Sequence, residues 1–347
     1  MFQLKRIAQA ADKHRTISAR IKQRLSRFKI RASRINEPLI TATRPCRFSQ
    51  SLPKGNRFYS KFYKLNKKRK PFSHRIIELE PINDHREIVR ILGSHCFPWD
   101  VEKALEFALY RTFAVPSISA LLSKTGEFKN RTRKRYDDTA LLMAEILENG
   151  YDSERATEAF SRMNKMHIRF NISNQDYLYV LTTFIFEPIY WIEKYGWRKP
   201  ADNEKIASFL FYREVGKRMG IKNIPESYTE FEKFHHDYED KYFRYAETNK
   251  EISNYTMNLI LGMYLPKFLF FIGKPIVRSL LDDKLLNAMG LKPTSKLLQK
   301  STFGLMRLRA NIVRFLPERK TAFSGTKAKR PTYPNGYEIN ELGTVKK

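Results

Sequence analysis

In the stretch Arg162 to Asp176, RMNKMHIRFNISNQD, the residue whose type and position could do chemistry is His167. On helical spacing Ala156, Ala159, Phe160, Met163 and His167 fall at i, i+3, i+4, i+7 and i+11, so the imidazole shares an apolar stripe and points inward. Two readings follow. The ring is a core histidine satisfied by a backbone carbonyl, or it is a neutral nitrogen ligand of the kind an axial haem ligand requires, with Arg162 and Arg169 close enough in sequence to pair with propionates. The adjacent His235 and His236 are poorer candidates, because neighbouring helical positions face about 100° apart and do not chelate one metal easily. They read as a solvated or half-buried face. There is no Gly-rich phosphate loop, no H-E-x-x-H, no G-x-S-x-G and no CxxC pair, which removes most hydrolase and nucleotide-binding readings.

The elements that must hold these residues are helical. The segment 100–113 puts Val101, Ala104, Leu105, Ala108 and Leu109 on one face, with Asp100 as the expected N-cap. A second helix closes at Gly150, and Asp152 is expected to cap a third that carries His167. Ser173 and Asp176 open a long helix that Pro188 is expected to kink, Asp202 caps the next, which Gly220 ends, and Ser227 or Thr229 starts another. Strand-like alternation is nearly absent, and no repeat of fixed period is present. The expected organisation is a basic arm and linker over 1–77 with little fixed structure, one all-α domain over 78–317, and an irregular tail over 318–347 that packs on the domain.

With 42% hydrophobic and 13% aromatic residues the chain has material for a real core. Its charge is uneven: residues 1–75 hold 22 lysines and arginines against Asp12 and Glu37, so +20 of the +29 sits there. Such an arm attracts phosphates on nucleic acid or on an anionic membrane leaflet alike, because the attraction carries no sequence information. Only Cys46 and Cys96 are present, which excludes a disulfide framework or a cysteine zinc site and fits a reducing compartment. No apolar run reaches the roughly 18–20 residues of a bilayer span. The best stretch, from Leu259, is interrupted by Pro266, Lys267, Gly273, Lys274, Pro275 and Arg278, and reads as short helices or an interfacial segment. The expected location is cytoplasmic, with peripheral membrane contact through the arm. The Arg-rich, acid-poor start also has the composition of a mitochondrial transit peptide.

Several ordered motifs, ALYRTFAVPSISALLSKTGEF, KRYDDTALLMAEILENGYDSERATEAFSRMNKMH, ISNQDYLYVLTTFIFEPIYWIEKYGWR, REVGKRMGI and YPNGYEINELG, together resemble the MpaB and rubber-oxygenase (latex-clearing protein) family over about residues 95 to 345. The resemblance implies a single globin-like multi-helix domain holding haem b through one proximal histidine. It also implies the use of dioxygen to cleave carbon–carbon double bonds of isoprenoid chains. The motif match puts the proximal ligand at His167 and a distal element at Arg135 and Thr139. A rubber oxygenase typically has a lysine just before that threonine; here Asp138 stands there, a carboxylate that could accept hydrogen bonds or protons. The alternative for Arg135, Asp138 and Thr139 is a cluster at a helix start. Glu187, amid aromatics, reads as a buried partner of Arg213 or Arg198.

The leading expectation is therefore a haem b-dependent oxygenase acting with dioxygen on a hydrophobic, unsaturated, isoprenoid-like substrate. Arg135, Asp138 and Thr139 would shape the distal pocket and Arg162 and Arg169 would anchor the propionates. The rival, from another class, is a basic binding protein whose arm grips nucleic acid or anionic lipid, with Phe58, Tyr59, Phe62 and Tyr63 among its lysines, and whose helical domain is not catalytic. The arm is separable from the domain, which weighs against nucleic acid as the partner.

Overall fold

The computed structural model describes residues 69–344, all within one compact unit, Phe58–Lys347. Most of the basic arm, residues 1–68, lies outside the described residues, as do 345–347. Among the described residues the architecture is all-α, as expected, with fourteen α-helices and no strand. Helices α1 (Pro71–Glu78) and α2 (Pro81–Ile91) lead through a π-helical turn (Leu92–Cys96) to α3 (Pro98–Phe113) and α4 (Pro116–Thr125). The short α5 (Glu127–Asn130) precedes a helical hairpin, α6 (Thr132–Asn149) and α7 (Glu154–His167). There follow α8 (Asn174–Tyr195), α9 (Asp202–Arg218), α10 (Tyr228–Tyr242) and α11 (Glu247–Gly262), then α12 (Phe270–Leu280), α13 (Asp283–Ala288) and α14 (Lys296–Phe315). Helix α1 thus lies inside the stretch read from the sequence as linker.

Local chemistry explains where most helices start. Proline occupies the first turn of α1 to α4, where its missing N–H is no loss and its φ is already helical. Serine hydroxyls cap α7, α8, α10 and α14, and Asp282 caps α13. Three expected caps differ. Pro98 starts α3 three residues early, with Phe97 at the cap position, which frees Asp100 to turn inward onto Arg309 (2.8 and 3.2 Å) and the Trp191 indole N–H (3.3 Å). Ser153 rather than Asp152 caps α7, its Oγ accepting from the Ala156 N–H at 3.1 Å. Ala201 occupies the cap position of α9, and the Glu204 carboxylate accepts from its N–H at 2.7 Å. Helix α8 also runs unbroken through Pro188. Twelve of its residues are buried, so packing on both sides outweighs the hydrogen bond the proline cannot make.

Packing centres on α8, which lies against α3, α9 and α10, while α2 pairs with α9 and α6 with α7. One core joins Ile88, Ile146, Ala156, Ile185, Phe186 and Phe211; a second joins Phe113, Phe128, Ile260 and Leu286. A buried ion network ties these layers together. The Arg111 guanidinium on α3 lies 3.0 Å from Glu187 on α8, 2.7 Å from Glu239 on α10 and 2.6 Å from Asp282 at the start of α13. Tyr179 donates to Glu239 at 3.0 Å. Burial pushes Glu187 up to about 7 even against the pull of Arg111, with Glu239 adding to the rise.

The tail after α14 is a strap. Glu318 accepts from the N–H groups of Phe72 (2.8 Å) and Ser73 (3.2 Å), supplying from far along the chain the anion that the start of α1 lacks locally. Thr332 donates to Asp137 (2.6 Å) and Tyr337 to Glu145 (2.7 Å), both on α6, while Ile339 and Leu342 are fully buried beside the hairpin. Gly343 takes φ +80° directly against Met166 on α7, where a Cβ would overlap the sulfur.

Two stability outcomes are expected. Arg111→Ala leaves Glu187 and Glu239 buried without their cation and should cost about 3–5 kcal/mol in urea denaturation. Gly343→Ala combines a left-handed φ with a steric overlap at Met166 and should cost about 1–2 kcal/mol or more, read as a lowered Tm.

Candidate functional site

Gly150, at φ +80°, ends α6 and lets the chain reverse into α7 within a few residues. In such an antiparallel hairpin, positions equally far from the turn sit side by side. His167 and Arg135 are each about four helical turns from it, and the positive charge of Arg135 acts on the His167 ring. Arg135 and Thr139, one helical turn apart on α6, also join directly: the guanidinium Nη1 donates to the Thr139 hydroxyl, which itself donates to the Arg135 carbonyl at 3.0 Å. The guanidinium lies 5.8 Å from the Phe128 ring centre, and burial lowers its pKa from the ordinary arginine value.

His167 is the last residue of α7, beyond the buried stripe of Ala156, Ala159, Phe160 and Met163. Burial first, and then the Arg135 charge, holds its pKa down to about 4, so the ring is neutral at physiological pH. Its Nδ1 is enclosed and has no hydrogen-bond partner, and Tyr177 of α8 meets the ring edge-on at 5.7 Å between centres. A satisfied core histidine would bond a carbonyl; this one does not. A neutral imidazole with an unpartnered nitrogen is one nitrogen donor able to ligate the metal of a metal-bearing cofactor, and Arg135 adds a positive charge nearby suited to an anionic group rather than to the metal itself.

The other sequence candidates are placed differently. Asp138, buried, is held by other partners, Lys134 on both its oxygens at 2.9 Å and the Tyr333 hydroxyl of the strap, while its negative charge still acts on Arg135. Arg162 donates from Nε to the Leu342 carbonyl at 2.6 Å, leaving its enclosed Nη2 unpartnered. Arg169 is exposed and reaches the Thr344 carbonyl at 3.5 Å. Both arginines thus grip the strap, which adjoins His167. A cavity of about 490 Å³, lined by Glu145, Asn149, Arg155, Arg330, Tyr333 and Tyr337, lies at the turn end of the hairpin, away from His167.

A second constellation was misread from the sequence. His235 is fully buried rather than half-solvated, bonded to Thr182 (2.8 Å) and 3.3 Å from Glu239, while His236 is exposed against Tyr190 (3.1 Å). Glu187 pairs with Arg111, not with Arg213 or Arg198; Arg198 takes Glu204 through two bonds of 2.7 and 2.6 Å. His235, His236 and Glu239 each offer one ligand atom within 4.8 Å of one another. The Arg111 guanidinium already supplies the positive charge there, so a second cation would meet repulsion. No sequence signal marks Arg111, which is 76 positions from Glu187.

No family model matches the sequence. Among curated proteins, the chain is 32% identical over 247 residues to the ER-bound oxygenase mpaB' of Penicillium brevicompactum, covering 66% of this chain and 58% of that protein. It is 33% identical over 211 residues to the ER-bound oxygenase mpaB of Penicillium roqueforti, covering 56% of this chain and 70% of that protein. A third relative, ER-bound oxygenase mpaB of Penicillium brevicompactum, is 32% identical over 184 residues, covering 48% of this chain and 47% of that protein. The chain therefore spans between about half and 70% of the relatives it matches. Identity of 33% over 70% of the Penicillium roqueforti relative, on an all-α frame, makes the chain a member of the MpaB family.

Proposed function

We propose that this protein is a haem b-dependent oxygenase that uses dioxygen on a hydrophobic, unsaturated substrate of isoprenoid type, by oxidative cleavage of a carbon–carbon double bond. The observation that carries the proposal is His167: enclosed, neutral, unpartnered at Nδ1, and opposed by Arg135. The relatives' names support an oxygenase, and the cofactor and substrate class are our reading. The relatives are also named ER-bound, which supports attachment of this chain to a membrane. The rival reading, a basic binding protein with a non-catalytic helical domain, draws no support from relatives that are all named oxygenases.

In this reading His167 would hold the haem iron, and the globin-like arrangement of the domain belongs to the same proposal. Bound haem would supply the redox chemistry that activates dioxygen. The chain's own residues set the conditions. Burial keeps the imidazole lone pair free of a proton at neutral pH. Arg135 provides a fixed positive charge, and it is worth most in a site that excludes water, where negative charge develops on oxygen. The Thr139 hydroxyl holds the guanidinium in place. Arg162, through its unpartnered Nη2, is suited to a propionate, and Arg169 is the second candidate. Asp138 serves by fixing Lys134 and the strap, so its influence on the site is positional.

The protein expressed with haem available should show a Soret band and a pyridine haemochrome of haem b, and His167→Ala should lose most of the bound haem. Full haem content with an unchanged spectrum in that variant would remove His167 as the ligand. For the haem-free protein, neutral His167 favours the folded state above its ordinary pKa of about 6.5, and this contribution is lost as pH falls toward 4. Arg135→Gln should raise the ring's pKa, leaving it still depressed because burial is the larger cause. NMR titration of the His167 ring reads this directly; an unmoved titration would mean that Arg135 does not act on it.

A further inference from the structure

Helices α12 and α14 pack on each other at one side of the molecule. Helix α14 is attached by one face only: Thr302 and Ala310 are its buried residues, and Arg309 reaches in to Asp100. Its other face carries Leu305, Leu308, Ile312 and Phe315 at helical spacing, between 54% and 73% exposed. Just before and within α12, Phe268 and Phe271 are 74% and 72% exposed. Scattered exposed apolar residues need no explanation; two adjacent helices that share an apolar stripe do.

Charge identifies what covers it. From Met263 to Pro317 there are ten lysines and arginines, and the only acids are Asp282 and Asp283. Asp282 is committed to Arg111, and the pairs Arg309–Asp100 and Lys284–Asp240 account for two of the cations. Lys267, Lys296, Lys300, Arg307 and Arg314 remain exposed around the apolar stripe. The N-terminal arm of this chain, at +20 over residues 1–75, is repelled by such a rim. A second copy bound face to face would bring the same cations together. An anionic phospholipid surface meets both requirements, taking the apolar side chains into the acyl boundary and the cations among the headgroups.

We infer that the α12–α14 face is an interfacial docking surface for an anionic bilayer, with both helices lying in the membrane plane. Neither spans it: no single described helix is long and apolar enough. The bent pair formed by α11 and the segment Lys267–Leu280 passes only by length and composition, and α11 is a core helix with Ile252, Met257, Ile260 and Leu261 buried. The inference is independent of the chemistry proposed for His167.

The test uses the full chain and vesicles of phosphatidylcholine with 30% phosphatidylserine (about 30%, a composition rich enough for a clear surface potential). Because the cationic residues 1–75 would also attract such vesicles, the readout must be local. In Phe315→Trp, vesicles containing bromine-labelled acyl chains should quench fluorescence beyond the quenching of the parent's own Trp99, Trp191 and Trp197. Adding Leu305→Glu and Leu308→Glu, both at exposed positions that leave the core untouched, should abolish the extra quenching. It should also lower vesicle affinity by about tenfold or more at a salt concentration that screens the arm. An unchanged circular dichroism melt checks the fold of the double variant. Vesicle binding without extra quenching at position 315, or affinity unaffected by the two glutamates at that salt, overturns the inference. So does a lipid-free dimer, seen by light scattering, that the glutamates dissociate, because a second copy would then be the occupant.

Discussion

Everything around His167 depends on the close packing of α6 against α7. The two helices pack together, with Ala156 and Ala159 of α7 buried in the core and the Arg135 charge at the start of α6 acting on His167 at the end of α7. Enclosure strips water from the imidazole, and Arg135 then opposes any proton that would charge it. The two effects act in the same direction. The antiparallel hairpin is thus both a packing device and a means of keeping a histidine neutral.

Two supports hold this hairpin. The first is the strap: Tyr333, Tyr337 and Thr332 bond the acids of α6, while the Leu342 carbonyl accepts from Arg162 of α7. A segment with almost no secondary structure of its own therefore fixes two helices by pairing with charges they would otherwise bury alone. The second is the Arg111 network, which anchors α8, the helix that presents Tyr177 to the imidazole. Three carboxylates share one guanidinium there, and burial first, then the neighbouring carboxylates, push Glu187 up to about 7 despite Arg111. Histidine 235 stays neutral beside them because burial and Arg111 both lower its pKa.

The outer face of α12 and α14 obeys a different rule. Among the described residues this exposed apolar stripe meets no other helix, and the rim around it is cationic. The proposed chemistry and the proposed surface are compatible, since a protein that handles an apolar substrate gains by resting where such molecules dissolve. They lie toward different ends of α8, with Tyr177 touching His167 near its start and Tyr195 meeting Phe303 of α14 at its end.

The sequence by itself determined the helices, the caps at Ser173 and Ser227, the turns at Gly150 and Gly220, and the inward direction of His167. These rest on contacts within a few residues, where a period of 3.6 and a single hydroxyl suffice. The ordered motifs also led to the family. Arg135 and Thr139 were marked by the motif resemblance alone, and that the Arg135 charge reaches the His167 ring came from the tertiary structure. Tertiary structure alone decided that Arg111 rather than Arg213 or Arg198 answers Glu187, that Asp138 belongs to the strap, that Arg162 holds a backbone carbonyl, and that His235 is fully buried. It also decided which of many apolar stripes remains uncovered. The reason is physical: periodicity fixes the direction of a side chain along its own helix, whereas the partner of a buried charge or an apolar face comes from segments far away in the chain, and local pattern carries no record of them.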